Sequence, residues 1–219
     1  MSGAFPVDLI LFAMIAAFLV LRLRSVLGRR QGFERPPQEQ RAQADALRPV
    51  PRAVPDAMPA AAARGVPDAR TPAGQGLARI RQQDPSFDPS AFLGGAEGAF
   101  RMIVEAFANG DRETLKNLLS TETYGGFEQA ISSREAAGER QRTEIRTIQD
   151  MAIEGAELRG SVAEVTVRIV SDQINITTGP DGQVTAGHDG VTEIIDVWTF
   201  QRDLQTQDPT WKLVGTGAA

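Results

Sequence analysis

The sequence FLGGAEGAFRMIVEAF, residues 92–107, predicts the helix on which the folded part of this chain is built. Its apolar residues recur every three or four positions, and on a helix they form one stripe. The stripe consists of Phe92, Ala96, Ala99, Phe100, Ile103 and Phe107. Asp88 and Pro89 provide a start signal, because an acceptor side chain at the N-cap is followed by a residue whose missing N–H costs nothing there. Gly110 ends the predicted helix.

Three glycines in this helix, Gly94, Gly95 and Gly98, oppose its formation, since each costs about 1 kcal/mol relative to alanine in a helix interior. Gly95 and Gly98 are three positions apart and lie near one flank of the helix. We therefore expect another element to pack closely against this flank. The expected neighbour is the strand that carries Trp198 and Phe200, whose bulky side chains need small residues opposite them.

The composition excludes several kinds of site. The chain has no cysteine, which excludes disulfides, a thiolate metal site and a cysteine nucleophile, and its one histidine argues against a histidine-rich metal centre. Residues 1–91 carry 12 basic and 8 acidic side chains, whereas residues 92–219 carry 11 and 20. An acidic C-terminal part argues against a nucleic-acid surface. The sequence therefore predicts no metal, no cofactor and no nucleic-acid partner.

Residues 1–28 are predicted to form an N-terminal transmembrane anchor. The apolar run from Phe5 to Leu23 is at the short end of the lengths that cross a hydrocarbon core of about 30 Å. Its membrane-facing residues include Leu9, Ile10, Leu11, Phe12, Ile15, Phe18, Leu19, Val20 and Leu21. Positive charge follows the run, unlike in a signal peptide, and the positive-inside rule places this basic flank in the cytoplasm. The flank consists of Arg22, Arg24, Arg29 and Arg30. An interfacial helix is the alternative.

Residues 29–75 are rich in proline, alanine and arginine and show no apolar periodicity. Such a segment cannot offset the entropy of ordering, so it is predicted to be a disordered linker. A globular domain is expected at residues 76–219, with its core at about 87–216. The segment Gly76–Gln83 contains only two bulky apolar residues, and we interpret it as the end of the linker rather than as an amphipathic turn that contacts lipid or a partner.

Two more helices are predicted after the first. Asp111 and Ser120 are their N-caps. The apolar residues at helical spacing are Leu115, Leu118 and Leu119 in one helix and Tyr124, Phe127 and Ile131 in the other.

From Thr143 onward the pattern becomes that of strands. The alternation is clearest at Ala163, Val165, Val167 and Ile169. Ile174 and Ile176 have the other parity, so we expect a bulge near Val170–Asp172 that exchanges the two faces. A second bulge is expected at Gly155.

Two glycine-rich segments, residues 179–182 and 187–190, are predicted to be loop turns. The last two strands are expected at residues 191–202 and 211–216. Three helices followed by four antiparallel strands indicate an α+β domain with the helices on one face of a curved sheet.

The runs FLGGAEGAFRMIVEAFANGDRETLKNLLS, YGGFEQAISSREAAGE and DVWTFQRDL…DPTWKLV resemble the C-terminal domain of the Tim44 family. This family includes the membrane anchor of the mitochondrial import motor and bacterial adaptors of the TimA type. The resemblance covers roughly Phe87–Thr216 and is most specific at Trp198, Trp211 and Asp208–Pro209. It implies a nuclear-transport-factor-two-like cone, with three helices inside a bent four-stranded antiparallel sheet and often an apolar pocket. The chain has no amphipathic transit peptide, so the chaperone-recruiting part of the import anchor is not carried over.

The resemblance and the anchor together favour a non-catalytic, single-pass adaptor of the bacterial inner membrane with a cytoplasmic C-terminal domain. Its expected partners are membrane lipids at the N-terminal helix and unidentified proteins at the C-terminal domain, in protein transport or membrane-complex assembly. The first alternative is a lipid- or apolar-ligand-binding module. A scaffold predicts a filled cavity and an exposed apolar patch, whereas a ligand module predicts an open pocket. The candidate residues for a pocket or partner surface are Phe100, Phe107, Tyr124, Phe127, Trp198, Phe200 and Trp211.

The second alternative is a small isomerase or hydrolase, because relatives of the cone fold include isomerases and dehydratases. In their cavities burial raises the pKa of a carboxyl group into a useful range. Asp196 is the one candidate, since it shares strand parity with Trp198. An ion pair with Arg168 or Arg202 on a neighbouring strand is the simpler explanation of Asp196. No catalytic residue is therefore predicted.

Overall fold

A computed structural model describes residues 65–218 of the chain. The helices in this range are α1 Pro72–Gln83, α2 Pro89–Asn109, α3 Arg112–Leu118 and α4 Thr121–Ala136. The strands are β1 Arg140–Arg159, β2 Val162–Thr178, β3 Val184–Asp203 and β4 Lys212–Ala218. They form one antiparallel sheet in the order β1-β2-β3-β4. The predicted α+β class and four-stranded sheet are confirmed, with four helices in this range rather than three.

The predicted anchor, its basic flank and the linker up to residue 64 lie outside the described residues. Within residues 65–218, no helix combines the length and the apolar character needed to cross a membrane.

α2 is the predicted organising helix, and its ends follow from its caps. The Asp88 carboxylate accepts a hydrogen bond from the Ala91 N–H at 2.7 Å, and Pro89 occupies the first turn. Gly110 ends the helix with a left-handed φ of 72°, a conformation that glycine adopts without steric cost. The ring of Phe100, which is fully buried, lies 4.8 Å from the ring of Trp198. α2 is thereby fixed to β3 by aromatic contact.

The glycines of α2 do not make the predicted close contact with the sheet. A Cβ added at Gly94, Gly95 or Gly98 would meet no atom within 4 Å. The bulky residues of β3 pack against rings instead, Trp198 against Phe100 and Phe200 against Phe92 at 6.0 Å. The prediction was wrong because large aromatic side chains, not close backbones, fill the space between α2 and the sheet.

The close helix–sheet contact lies instead in α1, the segment interpreted as the end of the linker. A Cβ at Gly76 would lie 1.8 Å from the carbonyl oxygen of Ala156 in β1, so only glycine fits there. Ile80 is fully buried and Leu77 is buried as well. α1 therefore belongs to the core, and the linker interpretation of Gly76–Gln83 was wrong.

The residues before α1 also belong to the folded domain. The Ile153 N–H in β1 donates a hydrogen bond to the Gly65 carbonyl at 2.8 Å, and the Thr71 hydroxyl accepts from the Gly74 N–H at the start of α1. Residues 65–75 were predicted to be linker, and the core begins earlier than residue 87. The apolar signal of this segment is too short to show a period in the sequence.

β2 turns the same face toward the helices along most of its length. The buried residues at alternate positions are Ala163, Val165, Val167, Ile169, Ser171 and Gln173. The predicted exchange of faces near Val170–Asp172 does not occur. The irregularities lie in the neighbouring strands, since the register of β1 against β2 shifts at three points, one of them at the predicted bulge beside Gly155. Such bulges bend the strand that carries them.

The segment Gly187–Gly190 was predicted to be a turn, but it lies within β3. Gly187 pairs with Ile176 and His188 with Asn175, and Gly187 has a φ of 78°. The register against β2 shifts just beyond this pair. The glycines therefore permit a bulge in a continuous strand rather than a chain reversal.

We predict that Gly76→Ala lowers the free energy of unfolding by about 1–3 kcal/mol, because the added methyl group forces α1 away from β1. Gly98→Ala is the matched control and should leave stability unchanged or raise it by up to about 1 kcal/mol through helix propensity. Chemical denaturation followed by circular dichroism measures both. Equal stability of the two variants would contradict the packing of α1.

Candidate functional site

A cleft of about 560 Å³ opens between α2, α4 and the face of the sheet that the helices cover. We call it the concave cleft. Its apolar lining consists of Ile103, Val104, Phe107, Gly126, Phe127, Ala130, Ile194 and Trp198. Its polar lining consists of Glu122, Thr123, Gln141, Thr143, Gln173, Asn175, Asp196 and Thr216. The lining thus includes two carboxylates and no basic side chain.

The helical wall of the concave cleft is fixed by a cap and by an aromatic pair. Ser120 caps α4 by accepting a hydrogen bond from the Thr123 N–H at 3.1 Å. The rings of Phe107 in α2 and Phe127 in α4 meet edge to face, with centroids 5.2 Å apart. Edge-to-face pairs are a favoured aromatic geometry, so the two helices are held at the spacing that leaves the cleft open.

The sheet side changes from apolar to polar along β2 and β3. Val167 lies opposite Trp198 in the apolar core. At the next inward position along β2, Ile169 lies opposite Asp196 of β3. Ser171 occupies the inward position of β2 after that. The core and the floor of the cleft are consecutive parts of one sheet face.

A chain of hydrogen bonds runs along the polar part of this floor. Each member donates to the next, in the order Arg134, Gln141, Thr143, Asn175, Gln173 and Ser171. The four bonds beyond the guanidinium measure 3.1, 2.7, 3.2 and 2.9 Å. Ser171 is fully buried and Gln173 nearly so, and these bonds satisfy them. The chain of bonds fixes the polar floor in one arrangement.

Asp196 is half-buried in the concave cleft. Burial raises the pKa of its carboxyl group to about 6, and a hydrogen bond with Trp198 offsets part of this rise. The expected ion pairs are not formed, because Arg202 pairs with Asp84 at 3.2 Å and Arg168 lies near Asp150 at 3.7 Å. Among residues 65–218, no basic side chain forms an ion pair with Asp196. The Asp196 carboxylate therefore faces the cleft without a counter-charge from residues 65–218.

The aromatic residues proposed from the sequence divide among four places. Phe107, Phe127 and Trp198 line the concave cleft, and Phe100 is part of the core. Phe200 and Trp211 border a second groove on the other side of α2. Tyr124 is half-buried in α4, with the Lys116 ammonium 5.4 Å from its ring centre.

The residues of the polar floor were not among the site residues predicted from the sequence. Ser171, Gln173 and Asn175 continue the alternation that begins at Ala163, and this continuity was the available signal. Ile174 and Ile176, which have the other parity, instead predicted a change of face before these residues.

Comparison with known proteins identifies one family. The model of the Tim44-like domain family matches residues 73–218, which include nearly all of the four helices and four strands. No curated protein matches the chain. Among solved structures, the intermembrane space region of the chloroplast protein ARC6 is similar with a TM-score of 0.41 and 10% sequence identity, over 57% of this chain and 95% of that chain.

We predict that Asp196→Asn stabilises the protein at pH 8 but not at pH 4. The folded-state pKa of about 6 exceeds the ordinary value of 3.8, so the wild type loses stability as the pH rises between these values. One pKa unit corresponds to about 1.4 kcal/mol, and for a half-buried group we expect a gain on the order of 1–2 kcal/mol.

Thermal denaturation across this pH range measures the effect. Glu193→Gln is the control, because Glu193 lies on the same strand and is exposed. A gain in the control equal to that in Asp196→Asn would contradict the burial of Asp196.

Proposed function

The chain belongs to the Tim44-like domain family, and from this premise we propose that it is a non-catalytic adaptor that holds partner proteins at a membrane. The observation that carries the proposal is the extent of the match, residues 73–218, which covers the folded domain from α1 to β4. We therefore propose that this domain is the part of the chain that binds partner proteins.

We further propose that residues 1–28 anchor the protein in the bacterial inner membrane and contact its lipids. The apolar run and the arginines that follow it support a single span with the domain in the cytoplasm. Residues 29–64 would then act as a linker that lets the domain reach partners away from the membrane surface.

The outer side of α2 supports contact with protein partners. A groove of about 370 Å³ runs beside this helix, and Phe92, Met102 and Trp211 are among the residues that line it. Met102 is 49% exposed, which is unusual for a large apolar side chain. The glycine at position 95 also faces the groove and leaves it open. The proposal therefore rests on an apolar groove with an exposed methionine at its rim, into which a partner side chain could insert.

A photo-cross-linking residue at Met102 should give a discrete cross-linked protein in cells, and the same residue at Val191 should not. Val191 is exposed to a similar degree but lies in β3, away from this groove. Removal of residues 1–28 should abolish the product, because the tether brings the partner within reach. Identical products at both positions, or with the untethered chain, would contradict the adaptor proposal.

Cysteine labelling tests the topology without background, since the chain has no cysteine of its own. Ser2→Cys should react with a membrane-impermeant maleimide in intact spheroplasts. Ser90→Cys, which is exposed at the start of α2, should react only after the membrane is opened. Protection of both positions from the maleimide in intact spheroplasts would contradict the proposed single span.

A specific observation favours a second function, the binding of an apolar ligand. The concave cleft is open rather than filled, and three aromatic rings line it, those of Phe107, Phe127 and Trp198. Open pockets with apolar walls and a few polar groups are typical of small-molecule sites. We propose that the domain also binds such a ligand in this cleft.

Gly126→Leu should close the cleft without harming the fold. Gly126 lines it, and a Cβ there meets no atom within 4 Å, while leucine favours the helix by about 1 kcal/mol. The neutral fluorophore N-phenyl-1-naphthylamine should bind the wild type at least tenfold more tightly than this variant.

Gly125→Leu is the matched control, since Gly125 is equally open but is not part of the cleft lining. It should bind the fluorophore like the wild type. Equal loss of binding in both variants, or in neither, would contradict the ligand site.

A further inference from the structure

The charge in the concave cleft restricts what it can hold. Asp196 on β3 and Glu122 on α4 are its charged lining residues, and both are acidic. An anionic group in this cleft would be repelled by both carboxylates, and more strongly by Asp196, because Asp196 is half-buried and Glu122 is exposed. A cationic group would instead supply the counter-charge that Asp196 lacks among residues 65–218.

The surrounding elements leave this acidity in place. The side chains that α2, β1, β2 and β4 add to the lining are neutral. Arg134 on α4 lies at one end, where its guanidinium donates to Gln141 and to the carbonyl oxygens of Phe107 and Ala108. These bonds commit it to the protein rather than to a ligand.

We propose that the concave cleft binds a ligand that joins an apolar body to a protonated amine. The proposal rests on the second function above and names its ligand class. The apolar body occupies the part walled by Ile103, Phe107 and Phe127, and the amine lies at the polar floor beside Asp196.

The geometry of the cleft fits an amine in three ways. The carboxylate of Asp196 supplies the charge. Trp198, on the same face of β3 two residues away, presents an aromatic ring, and such rings attract cations. Thr143, Gln173 and Asn175 add hydroxyl and amide oxygens, each of which accepts one hydrogen bond within the floor and keeps a second lone pair for an ammonium group.

Three probes with related bodies test the proposal: 4-phenylbutylamine, 4-phenylbutan-1-ol and 5-phenylpentanoate. Calorimetric titration uses the full chain in micelles of an uncharged maltoside, with empty micelles as the blank. At pH 8 the amine should bind at least tenfold more tightly than the alcohol, and the carboxylate should bind more weakly than both. At pH 5 the preference for the amine should fall below threefold, because the pKa of Asp196 is about 6 and its carboxyl group is then largely neutral.

Two variants test whether the preference for the amine comes from Asp196. Asp196→Asn should remove the preference for the amine at pH 8 and retain binding of the alcohol, while Glu193→Gln should behave like the wild type. A second arm adds lipid to the micelles. Competition by phosphatidylethanolamine but not by phosphatidylglycerol would identify a lipid amine as an occupant and support the amine chemistry, whereas competition by phosphatidylglycerol would contradict it.

The failures of the two proposals are distinguishable. Equal affinity for amine and alcohol, or tighter binding of the carboxylate, would overturn the amine proposal and leave the apolar-ligand function standing. Absence of binding by all three probes to a folded chain would overturn both. Cross-linking at Met102 reports on the adaptor function independently, because Met102 lies outside the concave cleft.

Discussion

The register of β2 is the constraint on which the rest of the domain depends. Side chains alternate between the two faces of a strand, so a single shift would turn the core residues outward. β2 has no such shift between Ala163 and Gln173, and the irregularities fall in β1 and β3. One face therefore supplies the apolar core under α2 and then, without interruption, the polar floor of the concave cleft.

This continuity has an energetic consequence. Buried polar groups are costly unless they are hydrogen-bonded, and the chain of bonds from Arg134 to Ser171 meets that requirement. Asp196 differs from these groups, because its half-buried carboxylate has a hydrogen bond with Trp198 but no ion-pair partner among the described residues. A fold that retains such a group gives up stability, and residues that do so are candidates for binding.

Structure is predicted most reliably from this sequence where one local signal determines where an element begins or ends, or which type it is. Asp88, Pro89 and Gly110 define α2 because caps act locally, and the α+β class follows from the change of period after Thr143. The sequence is weaker where contacts between distant segments decide. The role of Gly76 depends on the carbonyl of Ala156, 80 positions away, and no local pattern reports such a contact. The polar floor of the cleft likewise depends on which face β2 presents.

Two surfaces of one domain thus support two proposals, the groove beside α2 for a protein partner and the concave cleft for an amine. The uncompensated carboxylate of Asp196 is central to the second. Its pKa can be measured directly from the side-chain carbonyl ¹³C chemical shift in the full chain. We predict a value of about 6 without ligand, which falls toward the ordinary range when 4-phenylbutylamine is saturating. A value near 3.8 that the amine does not change would contradict this account.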